Sequence, residues 1–214
     1  MKNTAKQWPL FLALVWLSGI SAAQPSPACS CLWEGPFIRT QAKSDLIVTG
    51  TIIGAKGNSL DLQIDRVLQD NGVGQREFRE VIRLWGNNGK LCRPDTGRFA
   101  LNSQYLLGLK KITELPEDGF NPNTPNISFG RVGDYYLSSC GVYWLDLNEG
   151  RVSGPLAKAE RWQWSDETMN PVLLELVAAY ISGMLPEQAL IEAAKPQTEA
   201  KQLLEQTKAF LREQ

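Results

Sequence analysis

Histidine is missing from all 214 residues. That absence removes imidazole as a general acid or base, as the activator of a nucleophile and as a common zinc ligand. Positive charge is not in excess either, since 22 Lys and Arg face 23 Asp and Glu. No basic patch stands out, which argues against a nucleic-acid partner. No convincing motif of paired carboxylates is present; Asp61, Asp65 and Glu80 read as solvated strand positions. These gaps predict a chain that is not an enzyme and uses no cofactor. Beyond residue 28, no stretch stays apolar for the roughly 20 residues that a membrane-spanning helix needs.

Against those absences, the first residues carry a clear pattern. Lys2 and Lys6 give a positive start, Trp8 to Ile20 is apolar, and Ser21, Ala22 and Ala23 are small. This is the plan of a cleavable signal peptide. Ser21 and Ala23 satisfy the small-x-small rule for cleavage after Ala23; Ser26 and Ala28 do the same for cleavage after Ala28. The aliphatic residue that bacterial lipidation of Cys29 would need is replaced by Ser26. The expectation is a signal peptide over residues 1–28 and a secreted or periplasmic protein without a membrane span in its mature chain. Removing residues 1–28 leaves 186 residues with a net charge of −3, enough for one domain with an appendage.

The four cysteines, Cys29, Cys31, Cys92 and Cys140, all follow that segment. An even number in an exported chain favours two disulfides, with three possible pairings. A Cys29–Cys31 bridge would close a very tight ring. In an extended strand their Cα atoms stand about 6.6 Å apart, at the far edge of bridgeable distance. Both cysteines are therefore expected to leave the same face of the segment for distant partners. Either remaining pairing closes loops of about 60 and 110 residues, and the first alone is worth roughly 4 kcal/mol in the chain-entropy model. The competing readings are a redox-active Cys-x-Cys pair and a thiolate metal site. The latter lacks the two-residue spacing of a zinc knuckle.

From Asp45 onward the pattern is β. Leu46 to Ile53 is rich in β-branched residues, and Gly57-Asn58 marks a turn. Leu60, Leu62 and Ile64 alternate with polar residues. Further strands are expected at 81–85, 104–109, 135–137, 142–145 and 151–153, with a long surface loop over 114–130 containing the Asn126-Ile127-Ser128 sequon. Five or six such strands suggest a small closed or half-closed barrel. After residue 165 the pattern becomes helical. Asn170 and Pro171 start a first helix that Gly183 stops, Pro186 starts a second that runs to Ala194, and Pro196 starts a third that runs to Leu211. Their apolar stripe is expected to pack on the barrel. Trp33, Trp85 and Trp144 read as core or rim rather than as a binding face.

Cys29-Ser30-Cys31, followed by Ser44-Asp45-Leu46-Ile47-Val48-Thr49-Gly50, resembles the opening of the tissue inhibitors of metalloproteinases and of the wider netrin-like domains. Cys92 after the third strand, Gln104-Tyr105-Leu106-Leu107 and Ser139-Cys140-Gly141 agree with that pattern. The resemblance covers residues 29–153. It implies an OB-type antiparallel barrel of five to six strands over 29–160, with a helical extension over 165–214 where the animal inhibitors have a second disulfide-bonded domain. It also implies the bridges Cys29–Cys92 and Cys31–Cys140. In that family the mature chain begins at the first cysteine, whose amine and carbonyl chelate the zinc of the target protease. Carried over, the inhibitory wedge is Cys29, Ser30, Cys31 and Leu32, with Cys29 as the ligand to a zinc held by the partner. One family cysteine, expected just before Ser44, is replaced by Ala42-Lys43. The alternative to an inhibitor is an exported interaction domain on the same barrel with no zinc chelation.

Overall fold

A computed structural model of the chain describes residues 29–72, 79–116, 128–166, 169–196, 210 and 212. The expected signal peptide, the centre of the expected 114–130 loop with Asn126 of the sequon, and nearly all of the last expected helix lie outside these residues.

Five strands close into a barrel. β1 (Leu46–Lys56) and β2 (Ser59–Asp70) form a long antiparallel hairpin around Gly57-Asn58. β3 (Val81–Trp85) pairs with β2, and the short β5 (Tyr135–Tyr136) runs parallel to β3. β4 (Gln104–Lys111) takes β1 on one edge and β5 on the other, which completes the ring. Closure gives each of these five strands a neighbour on both sides, which limits the open sheet edge they present. Gly50 makes the hairpin possible where β1 bends across β2. A Cβ there would sit 2.5 Å from the Gln63 carbonyl oxygen.

The period-two pattern sorts the apolar residues into two cores. Leu46, Val48 and Ile52 of β1 pack with Leu62, Ile82, Leu107 and Leu109 in the first. The alternate residues Ile47 and Leu106 point to the opposite face and join the second core. That outer core is covered by α1 (Phe37–Thr40), α2 (Leu174–Ile181) and α3 (Glu187–Ala194), through Phe37, Ile38, Val177 and Leu190. Full burial of one such side chain contributes roughly 2 kcal/mol.

The remaining part of β4's second edge extends the sheet through β6 (Trp144–Asn148), β7 (Arg151–Ser153) and β8 (Val172–Leu173). Here the structure departs from the expected helix start at Pro171. Val172 and Leu173 instead pair with the open edge of β7, and the Leu174 amide donates to the Gly150 carbonyl at 2.9 Å. The helix begins only after those bonds are made, and Gly183, at φ +77°, ends it as expected. β6 begins at Trp144 rather than Val142, because the Val142 amide is drawn to the N-terminal segment.

Trp85 and Trp144 are 8% and 7% exposed, so both are core residues. Trp33 is half-buried against Trp162 and Trp164, with ring centroids 5.5 and 5.8 Å away. Asp65 and Glu80 are exposed and Asp61 is half-buried, and two of the three make surface contacts. Asp61 pairs with Arg83 at 2.8 Å, and Asp65 accepts from Thr51 and Gln104. Among the described residues, no helix is long and apolar enough to cross a membrane.

Candidate functional site

The N-terminal segment packs through Trp33 and is crosslinked to the barrel by two covalent bonds. Cys29 is bonded to Cys92, with Cα atoms 5.1 Å apart, and Cys31 to Cys140, with Cα atoms 5.8 Å apart. No cysteine is free, and the two cysteines of the Cys-x-Cys motif are not bonded to each other. The Cys29, Cys31 and Cys92 sulfurs cluster within 4.8 Å of one another. All three are in disulfides, so none offers the thiolate that metal binding requires.

Main-chain bonds join the anchors into one platform. The Ser139 amide donates to the Cys92 carbonyl at 3.0 Å, which ties the two anchoring loops together. The Glu34 amide donates to the Cys140 carbonyl at 2.7 Å, and the Val142 amide to the Gly35 carbonyl at 3.0 Å. Gly141 permits this approach, because a Cβ there would lie 2.7 Å from Thr40 Cγ2 and 3.1 Å from Glu34 Cβ. The Thr40 hydroxyl donates to the Val142 carbonyl and fixes the turn into α1.

Glu34 adds a half-buried polar anchor. Its carboxylate accepts from the Tyr143 hydroxyl at 2.5 Å and from Lys43 at 3.0 Å. Partial burial works against the charged form, but the hydrogen bonds from Tyr143 and Lys43 outweigh it and hold the carboxyl below the usual range. The Tyr143 hydroxyl is pushed far up, first by burial and then by its bond to Glu34.

Cys29 and Ser30 are exposed, Cys31 is half-buried, and Leu32 is 86% exposed. The four residues expected to form the wedge thus lie together at the surface, within and just beyond the two crosslinks. Beside them opens a cavity of about 710 Å³, lined by Cys31, Leu32, the end of β4 and the stretch from Thr113 to Pro116. Arg93, Lys110, Lys111 and Tyr136 also line it. Sequence reasoning missed Arg93. Its only local signal is its place directly after Cys92, and the groups that enclose it, Phe129 and Tyr136, lie far along the chain.

Comparison with known proteins finds no matching family model, no similar curated protein and no similar solved structure.

Proposed function

We propose that this protein is an exported protein-binding module that engages a zinc metalloendopeptidase through Cys29, Ser30, Cys31 and Leu32. The observation that carries this reading is Leu32. It is a large apolar side chain, 86% exposed, next to a cysteine crosslinked to the barrel. Exposing a leucine in this way forgoes the roughly 2 kcal/mol that burial would supply, and a partner surface would recover it. The crosslinks hold the segment in one conformation, which cuts the entropy lost on binding. A five-strand ring whose β3 and β5 run parallel supports an OB-type barrel, and with it the kinship to netrin-like domains and tissue inhibitors of metalloproteinases.

In this reading the signal peptide is cut after Ala28. The free Cys29 amine, with an unperturbed pKa of about 7.7–8.0, loses its proton and binds the protease zinc together with the Cys29 carbonyl. Ser30 faces the specificity pocket. A second reading follows from the Ala23 site, which lies closer to the apolar core of the signal. Cleavage there leaves Gln24 to Ala28 ahead of the amine, blocks chelation and makes the chain a non-inhibitory interaction domain of the envelope or extracellular space.

N-terminal sequencing of the exported protein, followed by inhibition assays on a set of zinc metalloendopeptidases, tests both. The expected start is Cys29, with inhibition abolished by one added N-terminal alanine or by Ser30→Glu, and weakened about tenfold by Leu32→Ser. A start at Gln24 ends the chelating reading and leaves the second one.

A further inference from the structure

We infer that the cavity beside the N-terminal segment is a binding site for a carboxylate carried on a small apolar group, with Arg93 as its anchoring residue. Arg93 is only 8% exposed and lines this cavity. Its Nη1 donates to the Phe129 carbonyl at 2.7 Å, and its guanidinium carbon lies 4.5 Å from the centre of the Tyr136 ring. Among the described residues no carboxylate pairs with it. Burying a cation without a counter-charge is costly, so such groups are ordinarily paired. One carbonyl satisfies one of five N–H donors, and stacking on a ring leaves the guanidinium edge open. That edge matches the two oxygens of a carboxylate in a bidentate pair.

The rest of the lining selects the kind of anion. Three cations, Arg93, Lys110 and Lys111, share the cavity with two carboxylates, Glu34 and Glu114. The lining is net positive, which suits an anion. Glu34 is moreover occupied by Tyr143 and Lys43. Leu91, Ile112 and Leu115 supply an apolar wall for the group that bears the carboxylate. Burial lowers the Arg93 pKa to about 10, so the cation persists at neutral pH. Two sources carry this chemistry: the C-terminus of a polypeptide ending in an apolar residue, and a free branched short-chain acid. The inference goes beyond the wedge reading and does not need the Cys29 amine.

Calorimetric titration of the full exported protein tests it with three probes: acetyl-glycyl-glycyl-leucine, the same peptide as its C-terminal amide, and 3-methylbutanoate. The expected result is binding of the free acids, with the amide about tenfold weaker or worse. A peptide that binds at least about tenfold more tightly than 3-methylbutanoate identifies the chain terminus as the source, and equal binding identifies the free acid. Arg93→Met should lose acid binding by about the same factor while keeping both disulfides, and Arg93→Lys, which keeps the charge but not the fork, should lose part of it. A one-alanine N-terminal extension, which abolishes zinc chelation, should leave acid binding unchanged, so the two readings fail separately. Equal binding of acid and amide, tighter binding of inorganic phosphate than of the acids, or no binding of any probe would overturn the site. The comparison of acid with amide uses the native protein and holds even if the Arg93 variants fail to fold.

Discussion

The N-terminal segment from Cys29 to Gly35 and the C-terminal segment from Met169 to Ala194 dress the same barrel by opposite means. The first is held by two crosslinks, two main-chain bonds and the Glu34 carboxylate, with Trp33 its only packed large apolar side chain while Leu32 stays in solvent. The second has no crosslink and buries Met169, Val172, Val177, Leu190 and Ala194 in the outer core. The two meet at α1, where the Tyr180 hydroxyl donates to the Ile38 carbonyl at 3.2 Å and Arg39 faces Glu187 at 3.5 Å. The difference teaches that a segment whose leucine stays in solvent can still be fixed to a barrel by disulfides. On the proposed function, Leu32 is kept for a partner and so cannot also serve as an anchor.

Removing both crosslinks should give the largest effect. Serine at all four cysteines should cost about 4–5 kcal/mol in urea unfolding and strip hydrogen-exchange protection from the Glu34 and Val142 amides. An unchanged midpoint would break the comparison, because the segment would then be held by something other than its sulfurs. Next comes Leu190→Ala in the fully buried heart of the C-terminal segment. A loss of about 3 kcal/mol is expected, with protection at Glu34 and Val142 unchanged. Loss of that protection as well would mean that the two attachments act as one unit.

The smallest effect sharpens the polar part of the N-terminal attachment. The Glu34 carboxyl titrates below its ordinary range in the folded state, so its contribution is present above the unfolded carboxylate pKa of about 4.3 and fades as pH falls through the lower folded value. Glu34→Gln should therefore cost up to about 1 kcal/mol at pH 7 and next to nothing at about pH 2, read from urea midpoints at both pH values. A penalty that persists in strong acid would assign the role of Glu34 to packing rather than to charge.

Much of the barrel could be read directly from residue order. Leu46 to Ile53 is β-branched, Gly57-Asn58 provides the turn, and Leu60, Leu62 and Ile64 alternate with polar neighbours. These are local signals, and β1, β2 and β3 follow them. β8 was not legible for the opposite reason. Asn170-Pro171 carries a strong local helix-start pattern, but Val172 and Leu173 obey the unpaired edge of β7, which no window around them contains. The site divides in the same way. Four cysteines after an apolar leader could be counted, and spacing excluded one of the three pairings. Spacing alone left the other two open, and the choice of Cys29–Cys92 with Cys31–Cys140 came from the family resemblance. Arg93 was invisible because its burial comes from Phe129 and Tyr136, which only the closed ring brings to it.

Three sulfurs from two different bridges lie within 4.8 Å of one another. Thiol–disulfide exchange proceeds by attack of a thiolate on a neighbouring disulfide. Once either bridge is opened, the freed sulfur has the other within easy reach, and partners can be traded with little motion of the barrel. Opening one bridge would thus place its thiolate beside the other, so the two crosslinks can exchange partners at a single place.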